Sequence, residues 1–99
     1  MKKLSEVSRD AQTVAYCMFP MGPPVCLTFD RPHIIHPRTK AALDELTEAG
    51  LLEVMPSGVL PRGGAGWKAT PHLHPLKDFR DQGIPKITSS DSSFPITTE

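Results

Sequence analysis

The sequence has no long apolar run, no excess of charge of either sign and few cysteines, and each absence excludes a class of protein. No stretch approaches the roughly 18 apolar residues that a bilayer span needs, so we expect no membrane segment. A polar stretch follows the first lysines, which predicts that no secretory signal is present and that the protein stays in the cytoplasm. Eleven Lys and Arg balance eleven Asp and Glu, so the chain as a whole exerts no long-range attraction on nucleic acid.

Cysteine is too scarce for a disulfide scaffold, because Cys17 and Cys26 are the only two in the chain. Together with His33 and His36 they could supply four zinc ligands of the preferred chemical types. The spacing within each pair differs from that of the usual structural zinc sites. The simpler interpretation is a pair of buried cysteines and a pair of turn histidines, so we predict no metal site while the zinc alternative stays open.

Proline and glycine are abundant, at 11 and 7 of the 99 residues, which excludes an all-helical bundle and predicts short elements joined by turns. A chain of this length forms one domain with a thin core, in which a deep catalytic cleft is hard to build. The local signatures of a nucleophilic serine and of a phosphate-binding loop are absent from the sequence. We therefore predict no enzymatic activity and no cofactor. The expected organisation is a small α+β domain over residues 1–83 and a mobile polar tail over residues 84–99.

The first part of the chain is ambiguous between helix and strand. Apolar residues recur at helical spacing from Leu4 to Ala15, but residues 13–19 are rich in types that suit a strand. We predict a short helix followed by a strand over residues 13–19. A Pro- and Gly-rich turn at residues 20–24 leads to a second strand at residues 25–29, and the two strands could pair as an N-terminal hairpin.

The clearest element is an amphipathic helix over residues 37–50. Pro37 fits the first turn, where its missing N–H costs nothing, and Gly50 fits the C-terminal cap. One face of the helix is apolar and the opposite face is charged, so the apolar face is expected to pack on the domain. The apolar positions are Ala42, Leu43, Leu46 and Ala49.

A β-hairpin is predicted to follow this helix directly. Residues 51–55 form its first strand and residues 67–70 its second, and a Gly-rich loop that includes residues 62–66 joins them. A single helical turn is predicted over residues 76–80. The hydrophobic core is expected to draw on the helix, the hairpin and the segment before the helix, with the members Ile34, Ile35, Leu43, Leu46, Leu51, Val54 and Trp67.

A helix that continues into a Gly-looped hairpin resembles the recognition helix and wing of winged helix-turn-helix domains. The similarity covers residues 36–75, and it is carried by LDELTEAGLL at residues 43–52 and by WKATP at residues 67–71. The resemblance implies a winged-helix-like fold that binds DNA through the exposed start of the helix and the tip of the wing. The positions that match these contacts are Arg38, Thr39 and Lys40, then Arg62, Gly63 and Gly64, with Lys68 assisting.

Two functions from different classes fit this interpretation. The first is a non-enzymatic regulator that binds double-stranded DNA, as a dimer because a chain without net charge binds phosphates weakly by itself. The alternative is a small protein-interaction module of the kind found among phage and plasmid inhibitors or adaptors. Such a module would dock an acidic helix face, formed by Asp44, Glu45 and Glu48, on a basic protein of a nucleic-acid-handling complex.

Overall fold

The computed structural model describes residues 2–23, 25–29, 31–55, 64–88 and 94–98. The elements in chain order are α1 (Arg9–Met18), β1 (Cys26–Phe29), α2 (Pro37–Glu48), β2 (Leu52–Val54), β3 (Ala65–Ala69) and α3 (Pro75–Asp81). Short 3₁₀ helices at Leu4–Glu6 and Pro32–Ile34 precede α1 and α2. These elements confirm the predicted small α+β class. None of the helices within the described ranges has the length and apolarity of a bilayer span.

The predicted strand over residues 13–19 is wrong, because the chain is helical through Met18. Ser8 caps α1, since its hydroxyl accepts a hydrogen bond from the backbone N–H of Ala11 at 3.2 Å. The inner face of the helix is buried, with Val14 fully enclosed. Packing of this face outweighs the strand preference of the individual residues, because β propensity depends strongly on context.

Helix α2 forms where it was predicted. It begins at Pro37 and ends at Glu48, and Gly50 follows with a positive φ of 83° that a residue with a Cβ rarely adopts. His36 supplies the N-cap, because its Nδ1 accepts a hydrogen bond from the backbone N–H of Arg38 at 3.2 Å. The four predicted apolar positions are all buried, and the members of this face are Ala42, Leu43, Leu46 and Ala49.

The three strands form one antiparallel sheet in the order β1-β3-β2. Trp67 of β3 lies between Leu27 of β1 and Val54 of β2. The pairing of β2 with β3 confirms the predicted hairpin, although β3 begins earlier than predicted, at Ala65. The predicted N-terminal hairpin is wrong, because a helix precedes β1 and β1 pairs with β3 instead.

The core includes most of the residues predicted for it. Ile35, Leu43, Leu46, Leu51 and Trp67 are buried. Ile34 is only half-buried, and Val54 is wrong as a core residue, being 56% exposed at the end of the edge strand β2. The core also takes large side chains from outside the predicted set, all of them fully buried: Leu4, Val14, Phe19 and Leu73.

Residues 84–88 and 94–98 are in contact with the domain. Ile84 is buried and its N–H donates to the carbonyl of Phe79 at 3.0 Å. The later segment runs beside the start of α2, where the N–H of His36 donates to Ile96 at 3.0 Å. These contacts join the described parts of residues 84–99 to the helices, which the sequence-based division at residue 83 did not include.

Candidate nucleic-acid interface

Arg38 and Lys40 lie on the first turns of α2, with side chains that are 55% and 50% exposed. They flank a stripe of exposed positions along the helix, formed by Pro37, Ala41, Asp44 and Glu48. Successive residues are rotated by about 100° in a helix, so two residues on either side of a buried Thr39 point to opposite flanks of this stripe. The start of α2 therefore has a small, uncharged centre with one cation on each side.

Arg38 is held by a carboxylate from the neighbouring helix. Its Nη2 donates to Oδ1 of Asp10 at 2.9 Å and its Nε to Oδ2 at 3.4 Å, and the guanidinium lies 4.7 Å from the ring centroid of Phe94. The hydrogen bond to Asp10 raises the pKa of Arg38 above its ordinary value. Since a raised pKa in a base preserves the charge at every lower pH, the guanidinium stays protonated throughout the working range of a protein.

Lys40 connects α2 to the sheet. Its Nζ donates to both carboxylate oxygens of Asp44, at 2.7 and 2.9 Å, and lies 5.7 Å from the ring centroid of Trp67. The aromatic contact orients the lysine stem across the helix–sheet junction. Both cations at the start of α2 are therefore exposed but already paired with a carboxylate.

Other predicted DNA contacts are placed differently by the structure. Thr39 is fully buried and its hydroxyl donates to the carbonyl of Pro95, so its prediction as a DNA contact is corrected. Gly64 is buried, and Arg62 and Gly63 lie outside the described residues. Lys68 is exposed on β3.

The surroundings of Lys68 are set by the sheet register. Its Cα lies opposite Cys26 of β1 and Glu53 of β2, and all three residues are exposed. Alternate residues of a strand point to opposite faces, so Lys68 projects from the face away from Trp67. Lys68 and Lys40, which contacts the Trp67 ring, therefore lie on different faces of the sheet.

Two of the three acidic residues predicted to form a docking face on α2 are already bonded to other side chains or backbone. Asp44 binds Lys40, and Glu45 accepts two hydrogen bonds at 2.7 Å from Ser8, one from its backbone N–H and one from its hydroxyl. Glu48 is exposed. Glu45 therefore joins α2 to the start of α1, and its predicted role in a free docking face gives way to a structural one.

We expect the Glu45→Gln variant to lose about 1–2 kcal/mol of unfolding free energy, because bonds to a charged acceptor are stronger than neutral ones. The matched control is Glu48→Gln on the same helix, which should change stability by less than about 0.5 kcal/mol, as surface substitutions usually do. Urea unfolding followed by circular dichroism compares the two variants. Equal effects would show that the Ser8–Glu45 contact contributes nothing specific.

The four residues considered for zinc belong to separate elements. Cys17 lies in α1 and Cys26 in β1, and both are exposed rather than buried as expected. His33 lies in the 3₁₀ turn before α2, while His36 is engaged as the cap of α2. In the part of the chain that the structure describes, no group of three or more His, Cys, Asp or Glu residues is arranged to hold a metal ion.

Two contributors to this surface were missed by sequence reasoning. Asp10 of α1 forms an ion pair with Arg38, and Phe94 of the C-terminal segment packs against the same guanidinium. Both are far from Arg38 in the chain and carry no local motif.

Comparisons with protein-family models, with curated proteins and with solved structures found no match to this chain.

Proposed function

We propose that this chain is a non-enzymatic DNA-binding regulator that presents the start of α2 to a duplex. The observation that supports this most is the placement of Arg38 and Lys40 on opposite flanks of the exposed first turns. The major groove is about 12 Å wide and admits an α-helix, with a phosphate backbone along each edge. A cation on each side of the helix matches that arrangement. The winged-helix resemblance also assigns contacts to Lys68 and Arg62, but Lys68 projects from the face of the sheet opposite to Lys40, so the proposal rests on Arg38 and Lys40.

The carboxylates beside these cations set the strength of binding. To bind phosphate, Arg38 and Lys40 must break their ion pairs with Asp10 and Asp44. Exposed ion pairs of this kind contribute little to stability, so breaking them costs little free energy. The carboxylates still reduce the net gain from each phosphate contact. We infer weak binding by a single chain and useful binding by a dimer.

The proposal depends on α2 itself more than on a complete helix-turn-helix. Winged-helix domains have two helices before the recognition helix, whereas here α1 is the one α-helix described before α2, and β1 and the 3₁₀ turn Pro32–Ile34 lie between them. The start of α2 is also bordered by residues 94–98, which bind Ile34, His36 and Thr39. Phosphate contacts are therefore assigned to the two flanking cations rather than to the backbone of the first turn.

Fluorescence anisotropy with a short labelled duplex tests the proposal. Affinity should fall steeply between about 50 and 200 mM salt. The Arg38→Ala variant should bind several-fold more weakly, with a log–log salt slope smaller by about 1, because one phosphate contact is lost. Asp10→Asn should bind several-fold more tightly, because it frees the same guanidinium from its carboxylate partner.

The charge-matched control is Lys2→Ala, which removes one cation at the opposite end of α2, where the backbone N–H of Lys2 donates to the carbonyl of Ala49 at 3.0 Å. Circular dichroism establishes that each variant is folded before its binding is compared. Absence of duplex binding at low salt, or equal losses in Arg38→Ala and Lys2→Ala, would contradict the proposal.

The protein-interaction module remains the alternative. Asp44 and Glu48 lie on the exposed stripe of α2, and this placement supports docking on a basic partner. Glu45 is withdrawn from that face by Ser8, which leaves the stripe with less negative charge than the sequence suggests. Binding to a basic protein surface without any binding to duplex would favour this alternative.

A further inference from the structure

A separate surface groove runs along α3. It has a volume of about 420 Å³, within the range of roughly 300–1,000 Å³ that ligand sites occupy. Its apolar lining comes from α1, from α3 and from the segment after α3. The apolar members are Tyr16, Leu76, Phe79, Ile84 and Ile87.

The walls of the groove are fixed by specific contacts. The rings of Tyr16 and Phe79 pack with their centroids 4.8 Å apart and their planes at 51°. The segment that contributes Lys86 to the lining is held by Arg9, whose guanidinium donates to the carbonyls of Pro85 and Lys86, each at 2.8 Å. The groove is therefore already formed in the free chain, so a ligand would bind without the cost of ordering its walls.

The apolar surface continues past the groove. Leu76 also borders a smaller depression of about 180 Å³ whose lining includes Met21, His74 and Lys77. Met21 is 73% exposed and Leu76 is 51% exposed, and they are two of the three large hydrophobic residues that are exposed in the described part of the chain. A continuous exposed apolar strip of this kind on a small domain is typical of an interaction surface.

The rim of this strip is positively charged. Arg80 and Lys86 border the groove, and Lys77 borders the smaller depression. No carboxylate of the described residues lines either of them. Two carboxylates lie beside the rim without lining it. Asp78 accepts a hydrogen bond from the backbone N–H of His74 at 3.1 Å, and Asp81 forms a long, exposed ion pair with Arg80 at 3.5 Å.

We propose that this groove binds an acidic amphipathic segment of a partner protein. An apolar side chain of the partner packs between the Tyr16–Phe79 pair and Ile87, and its flanking carboxylates bind Arg80 and Lys86. Helical segments dock in apolar grooves through side chains at regular spacing, and cationic rims select acidic sequences. The phosphates of a duplex could pair with the cations of this rim, but a duplex backbone has no apolar group to fill the apolar groove. The lining therefore favours a protein segment.

The full chain is titrated with a fluorescein-labelled synthetic peptide that carries leucines at helical spacing between glutamates. Two matched peptides replace the glutamates by lysines or the leucines by alanines. We expect binding of the first peptide only. In the chain, Arg80→Glu combined with Lys86→Glu should weaken this binding at least tenfold and allow the lysine peptide to bind. Leu76→Ala, which removes an exposed apolar contact, should weaken it several-fold without changing the circular dichroism.

The experiment has outcomes that overturn the proposal. These are equal binding of the glutamate and lysine peptides, or no binding of either. Loss of duplex binding in the Arg80/Lys86 variant would assign the surface to nucleic acid. Self-association that Leu76→Ala abolishes would assign it to a second copy of this chain. Arg38→Ala should leave peptide binding unchanged, so this inference stands or fails independently of the DNA-binding proposal.

Discussion

We expect the Leu46→Ala variant to lose about 2–5 kcal/mol of unfolding free energy. Leu46 is fully buried on the inner face of α2, and its backbone carbonyl accepts a hydrogen bond from the N–H of Leu51 at 3.0 Å, where the helix turns into the hairpin. Truncation leaves a cavity at the junction that positions β2 against α2. A small domain has only about 5–15 kcal/mol of total stability, so this loss is a large part of it.

The matched control for Leu46 is Leu76→Ala, the same truncation at a residue that is half-exposed on α3. It should cost no more than about 1 kcal/mol, because little apolar area is lost from the interior. Urea unfolding at a single temperature compares both variants with the parent chain. A Leu46→Ala variant that unfolds at the same urea concentration as the parent would show that the α2 face is placed wrongly.

The elements that could be predicted from the sequence are those whose signals are local. Helix α2 has a proline at its start, a glycine after its end and an apolar repeat between them, and each of these acts within one turn. Only three residues separate the β2–β3 hairpin from the end of α2, so its strands could be located to within a few residues. Long-range packing changes neither result.

Elements that depend on distant partners could not be predicted in this way. The residue types of the second half of α1, from Thr13 onward, suit a strand, and packing against α2 favours the helix there. Strand β1 finds its partner some 40 residues later in β3, where Cys26 lies opposite Lys68. Residues 94–98 were predicted to belong to a mobile polar tail, yet the N–H of Thr98 donates to the carbonyl of Ile34 at 2.7 Å.

The features of the candidate site also separate into those set by local sequence and those set by distant segments. The exposure of Arg38 and Lys40 follows from the helical repeat of α2 and could be read from the sequence. The burial of Thr39 depends on Pro95, and the neutralisation of Arg38 depends on Asp10. Both of these contacts arise because other segments pack beside α2, so they could not be predicted from the sequence near Arg38.

A methyl group at position 22 should be among the most damaging single changes in this chain. Gly22 has a positive φ of 70° in the turn between α1 and β1, and a Cβ there would lie 2.6 Å from the carbonyl oxygen of Leu73. That oxygen belongs to backbone that is itself held by a hydrogen bond from the N–H of Leu73 to Thr70 at 3.1 Å, so it cannot easily move. We expect Gly22→Ala to cost about 2–5 kcal/mol, from backbone strain and steric overlap together.

Gly83→Ala separates these two contributions. Gly83 has nearly the same φ, 67°, but a Cβ there would meet nothing within 4 Å. Its substitution should therefore cost only the strain of the left-handed conformation, about 1–2 kcal/mol. The difference between the two variants in urea unfolding measures the close approach of the turn at Gly22 to the backbone before α3. Equal losses would mean that a Cβ at position 22 does not overlap the carbonyl oxygen of Leu73, and therefore that the two segments lie farther apart than in the structure.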